Sequence, residues 1–158
     1  MPKLLKLISA ILLCEGAGIL GSVFTFPAIS SWYIYLNKPP FNPPNYLFGP
    51  VWTILYFLMG LTLYLLWTKK KTDKGIRNNA YVAFFVQLIL NVIWSLVFFG
   101  LHNLLAGFLI IIILWIAILE TIRRINLVDK TAANLLYPYL AWVSFATILN
   151  LSIVLLNP

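Results

Sequence analysis

The sequence predicts an all-α integral membrane protein. It reads as a bundle of five transmembrane helices with a structured first loop, in one domain over residues 1–158. Three observations lead there. The composition is 62% hydrophobic and only 9% charged, with a mean hydropathy of +0.95, whereas a soluble domain carries about 25% charged residues. Charges and prolines cut the chain into five apolar segments, each long enough to cross ~30 Å of hydrocarbon at about 1.5 Å per residue. The uncharged block from Pro39 to Thr68 passes from a proline-rich aromatic loop straight into an apolar run. Helices suit lipid because each satisfies its own backbone. Barrel strands would alternate over ~10 residues, and the run IIIILWIAIL does not.

The first segment runs from Leu4 to Phe26 and is expected to close at Pro27. Lys3 and Lys6 ahead of it resemble a cleavable signal. Apolar character persists to Ile29, however, and Glu15 interrupts it, so a retained helix is expected. The loop from Pro27 to Asn45 is the only connection long enough for structure of its own. Its prolines 39, 40, 43 and 44 remove backbone donors and restrict their predecessors. The second segment, Tyr46 to Trp67, ends at Lys69, Lys70 and Lys71. The third, Asn79 to Gly100, follows a polar linker from Lys69 to Asn78 and has no charge. His102 and Asn103 then form a turn that makes it the antiparallel neighbour of the fourth segment, Leu104 to Ile122. Arg123 and Arg124 end that segment, and the fifth spans Ala132 to Leu156. No internal repeat is visible, which argues against an inverted-repeat transporter.

Basic residues set the orientation. All of them except Lys38 fall on the side holding the N-terminus and the second and fourth linkers. The positive-inside rule makes that side cytoplasmic, with the first loop facing outward. The net charge of +7 therefore reads as a topology signal, and no nucleic acid is expected as a partner. The lone Cys14 excludes an intramolecular disulfide. With one cysteine and one histidine, neither a metal cluster nor a permanently ligated haem is expected. No Ser-His-acid set or phosphate-binding glycine loop is present. No cofactor is required on this reading. Catalysis would have to be oxidative or radical chemistry on tryptophans, or light-driven chemistry of a bound pigment.

Polar and aromatic residues inside the spans are the candidates for function. Gln87, Asn91, Trp94, Ser95 and Phe98 share one face of the third span. Tyr139, Trp142, Ala146, Leu149 and Asn150 share one face of the fifth, and Trp52 and Tyr56 one face of the second. Two readings stand for these faces. They supply interhelical hydrogen bonds and packing, or they wall a cavity for a flat, largely apolar ligand. Trp142 is expected mid-membrane, where its indole N–H needs an acceptor, and Pro138 is expected to free a carbonyl or bend the helix. Glu15 is an intramembrane carboxylate with no evident basic partner, protonated or facing a wet cavity. Glu120 is expected to pair with Arg123 or Arg124, and His102 to be structural. Ala17 and Gly21 form a small-xxx-small pair that serves intrachain packing or a homodimer.

Three blocks give the chain a resemblance to a family: WYIYLNKPPFNPPNYLFGPVWTILY, QLILNVIWSLVFFG and YPYLAWVSFATILN. They resemble the TspO/MBR family, the tryptophan-rich sensory proteins and the translocator protein once called the peripheral benzodiazepine receptor. The resemblance implies five transmembrane helices with the first loop folded as a lid over a cavity. It implies that protoporphyrin IX or a haem-type tetrapyrrole binds there, that the ring stacks on Trp52 and Trp142, and that Asn91 and Tyr139 hydrogen-bond to it. Trp94, Phe145, Ala146 and Leu149 would complete the lining, with Tyr56 on the second span and Trp32, Tyr33, Pro43 and Pro44 on the lid side. Lys38 would attract propionates. A homodimer in a prokaryotic cell membrane, surrounded by lipid, is implied, acting as sensor, carrier or scavenger. The alternative is light- and oxygen-dependent porphyrin breakdown assisted by Trp52 or Trp142. Ala106 stands where animal members carry a tryptophan. No basic residue follows Lys130, so the sterol-recognition pattern of animal members has no counterpart.

Overall fold

The computed structural model describes residues 1–69 and 71–158; Lys70, one of the basic residues used for orientation, lies outside the described residues. The helices are α1 (Lys3–Ser31), α2 (Phe48–Thr68), α3 (Lys74–Ser95), α4 (Leu104–Asn126), α5 (Lys130–Asn134) and α6 (Tyr137–Leu156). Short 3-10 turns occupy Tyr33–Tyr35 and Asn45–Leu47, and a π turn at Leu96–Gly100 carries α3 onward. Among the described residues, five helical stretches are long and apolar enough to cross a membrane. The all-α, five-span expectation therefore holds.

The spans pack as a ring. α1 lies against α2 and α3, α3 against α4, and α4 against α6. α2 and α6 meet through side chains, Phe48 edge-on to Trp142 and Trp52 edge-on to Tyr139. Close approach elsewhere depends on missing side chains. A Cβ on Gly60 would lie 2.7 Å from the Ile11 Cα, and one on Gly18 2.6 Å from the Tyr56 ring. Gly21 is buried, and a Cβ there would meet Ser95 Oγ at 3.1 Å. Within this chain Gly21 of the Ala17–Gly21 pair thus serves α1–α3 contact.

Three boundaries differ from expectation. Pro27 does not close the first span; α1 continues to Ser31. Proline removes one N–H, yet stopping there would release several backbone groups into an apolar surrounding. Ser31 Oγ donates to the Pro27 carbonyl at 2.6 Å. The third span begins at Lys74, inside the expected linker, because Asp73 caps it by accepting from Gly75 N and Ile76 N. The fifth span is two helices, α5 and α6, joined at Leu135 and Leu136. Pro138 has no N–H for the carbonyl four residues earlier, and the chain tightens there, with Leu136 N bonding Ala133 O at 3.1 Å.

Among the described residues, ion pairs gather at one end of the bundle. Asp129 caps α5 through Ala132 N at 2.8 Å and pairs with Lys69 Nζ at 2.7 Å. That joint fastens the end of α2 to the start of the fifth span. Glu120 pairs with Arg124 at 2.6 Å and Arg123 at 3.7 Å, as the spacing predicts. His102 takes a left-handed backbone with φ 53° and stacks on Trp32, ring centroids 4.3 Å apart. Its role in the turn is structural.

Candidate ligand-binding site

The first loop folds back over the bundle and is tied down at several points. Tyr33 is buried, and its hydroxyl donates to Asn42 Oδ1 at 2.6 Å. Burial pushes this phenol above its ordinary range, which keeps it protonated as a donor. Lys38 Nζ donates to the carbonyls of Tyr33, Leu36 and Ile34 at 2.8, 2.8 and 3.2 Å. An ammonium has three N–H donors, so its donors are used within the loop. Desolvation lowers the lysine pKa. Asn157 clamps the loop from the far end of the chain: its Oδ1 accepts from Asn37 N at 3.0 Å and its Nδ2 donates to Asn37 O at 2.8 Å.

Beneath the loop, three spans bring aromatic rings together. Trp52 from α2 and Trp94 from α3 lie 6.1 Å apart, and Trp94 stacks on Phe98 at 5.7 Å. Trp142 from α6 faces Phe48 at 6.4 Å and Phe145 at 5.5 Å. Trp94 Nε1 donates to Asn150 Oδ1 at 3.3 Å. Deeper, Asn91 Nδ2 donates to the Tyr139 hydroxyl at 2.7 Å, with both residues buried. These bonds satisfy groups that would otherwise cost about 1–3 kcal/mol each when buried.

Two spaces adjoin this aromatic cluster. An inner chamber of about 20 Å³ lies among Tyr33, Trp52, Trp94, Trp142, Ala146 and Leu149. A larger cavity of about 180 Å³ lies between α1 and α2, reached by Glu15, Ser22, Thr25 and Ser95. Phe48, Trp52, Trp94 and Phe99 line both, so four rings form the partition between them. Tyr56 belongs to the outer cavity.

The other expected residues stand around these spaces. Trp32 packs at the rim, on His102 and edge-on to Phe98. Pro43 and Pro44 shape the loop, their carbonyls accepting from Asn42 Nδ2 and Leu47 N. Phe145 sits between Trp142 and the loop ring Phe41. Asn91 and Tyr139 form a bonded floor. The expected acceptor for Trp142 is not found among the described residues: the residue is half-buried near the start of α6, so its N–H is not sealed. Tryptophan 115 has the partner instead, Ser144 Oγ at 2.7 Å.

Sequence reasoning missed the Asn37–Asn157 clamp, the Trp115–Ser144 bond and the central place of Phe48. Phe48 carried a signal, lying four residues before Trp52 on the same helical face.

A family model described as the TspO/MBR family matches residues 10–156, nearly the whole chain. The chain belongs to the TspO/MBR family. A tryptophan-rich protein TspO of Archaeoglobus fulgidus is 48% identical over 157 residues, covering 98% of this chain and 99% of that protein. The translocator protein of Homo sapiens is 38% identical over 133 residues, covering 82% and 77%. A tryptophan-rich sensory protein of Cereibacter sphaeroides is 34% identical over 126 residues, covering 80% and 77%. As a TspO/MBR member with five apolar spans, the chain is a multi-pass membrane protein.

Proposed function

We propose that this protein binds a tetrapyrrole such as protoporphyrin IX in its aromatic chamber, as a sensor, carrier or scavenger. One observation supports this most: Trp52, Trp94 and Trp142 converge from three spans on one chamber beneath a tethered loop. Flat π-systems stack on such rings. The relatives above are named as translocator and sensory proteins, which favours binding over catalysis. The chamber's 20 Å³ is far below the ~300 Å³ at the small end of ligand sites. Binding therefore requires the ring partition or the loop to move. Lys38 contributes charge to propionates rather than a hydrogen bond, since its donors are held by carbonyls.

We also propose, from the placement of the basic residues, that the N-terminus is cytoplasmic, and, from the family resemblance, that the protein is a homodimer in a prokaryotic cell membrane. Tagged termini probed from outside, and sizing in lipid discs, test these two points.

Titration of the purified protein with protoporphyrin IX, followed by tryptophan emission, tests the binding itself. Saturable quenching at micromolar concentration is expected, weakened by Trp52→Phe and by Trp142→Phe. Absence of saturable quenching overturns the proposal. A new absorbing product that appears on illumination only with protein, and is lost in Trp52→Phe, would shift the reading to porphyrin breakdown.

A further inference from the structure

The chain has four acidic side chains, and three have structural work in view. Asp73 caps α3, Glu120 pairs with Arg123 and Arg124, and Asp129 pairs with Lys69 and caps α5. Glu15 is the exception. Among the described residues its carboxylate has no ion-pair partner and accepts no hydrogen bond. It sits in the middle of α1 and reaches the outer cavity between α1 and α2.

We propose that this outer cavity is a second binding site, and that it takes a lipophilic amine. An intramembrane carboxylate is costly unless it meets a counter-charge or water. Here a counter-charge would find more than the carboxylate. Trp52 and Tyr56 line the same cavity, their rings 5.8 Å apart, and an ammonium near indole or phenol faces gains cation–π attraction. Among the described residues no basic side chain lines the cavity to compete for Glu15.

Size fixes the ligand class further. The volume is about 180 Å³, and an apolar cavity of about 150 Å³ holds a benzene. One aromatic ring with an ammonium fills this space; a tetrapyrrole does not. The cavity opens on the side of the bundle, where its lining residues Ile19 and Phe26 are 66% and 59% exposed. An alkyl tail on the amine therefore leaves directly into lipid. The negative wall also rejects carboxylate-bearing ligands, so the two cavities differ in charge preference as well as size. This site is independent of the tetrapyrrole reading and stands or falls without it.

Calorimetry in zwitterionic lipid discs tests it, with empty discs subtracted for partitioning. The probes are N-dodecylbenzylamine, protonated at about pH 7, and N-benzyldodecanamide, its uncharged counterpart of similar shape. The native protein is expected to bind the amine at least tenfold tighter than the amide. Glu15→Gln should abolish that preference while leaving thermal unfolding and tryptophan emission unchanged. Ser22→Phe, which fills the cavity from α1, should remove binding of both. Equal affinity for the two probes on native protein overturns the proposal. So does a preference that survives in Glu15→Gln, or amine binding that survives in Ser22→Phe.

Discussion

Replacing Asn157 with alanine asks whether the end of the last span holds the loop shut. The side chain makes two bonds to the loop, from Asn37 N at 3.0 Å and to Asn37 O at 2.8 Å. Bonds of this kind are worth about 0.5–1.5 kcal/mol each. Losing both takes about 1–3 kcal/mol from the closed loop. At about 1.4 kcal/mol per tenfold, the loop then opens roughly five- to a hundredfold more often. The lower part of that range is expected, because Asn37 is exposed and water replaces part of what is lost. A further bond, Asn37 Nδ2 to Leu156 O at 3.3 Å, does not use the Asn157 side chain and remains. Amide hydrogen exchange reads the effect. The informative amides are Leu36 and Asn42, which keep their own acceptors, Tyr33 O and Pro39 O. Asn37 itself is uninformative, since its amide loses its acceptor directly. Faster exchange at Leu36 and Asn42 means the clamp governs the whole loop. Native rates at both would refute this, and would leave the Lys38 and Tyr33–Asn42 bonds as what keeps the loop closed.

Tyr139→Phe leaves Asn91 Nδ2 buried without its acceptor and should cost about 1–3 kcal/mol in a detergent-unfolding titration. Adding Asn91→Leu should recover part of that, with a coupling of about 0.6–1.7 kcal/mol, as for other bonds within membranes. Gly60→Ala drives a methyl to 2.7 Å from the Ile11 backbone and should destabilise by about 1–3 kcal/mol. Gly16→Ala, with nothing within 4 Å, should lie within about 0.5 kcal/mol of native or gain slightly in the same assay. Burial raises the Asp129 pKa, but hydrogen bonds from Lys69 and the Ala132 amide outweigh it and hold the carboxyl below its ordinary 3.8. Its contribution is therefore present above the unfolded value and lost as pH falls through the folded one. Stability should drop as pH falls below the ordinary 3.8, and Asp129→Asn should flatten that part of the profile.

Much of the bundle was legible because lipid leaves a helix few alternatives. Spacing alone placed Gln87, Asn91, Trp94, Ser95 and Phe98 on one helical face, and all of them are buried. The Glu120–Arg124 pair followed from a four-residue separation. What stayed hidden was long-range or cooperative. Asn37 and Asn157 are 120 residues apart, and no local pattern links them. Pro27 reads as a stop in isolation, yet the apolar surround makes continuing cheaper than stopping. Pro138 gave the right signal, but its effect falls on Leu135 and Leu136 one turn earlier. The three-helix aromatic cluster was foreseeable from its members. Its division into a small inner chamber and a larger outer cavity was not, because that depends on where the rings of Trp52 and Trp94 come to rest.

That partition has a thermodynamic consequence. Trp52 and Trp94 line both spaces, so neither ring can move without changing both. A molecule that displaces these rings from one side alters the affinity of the opposite side, and linkage makes the effect reciprocal, by the same factor in both directions. If both spaces bind as proposed, these indoles are the shared boundary through which occupancy of the outer cavity would change affinity in the chamber under the loop.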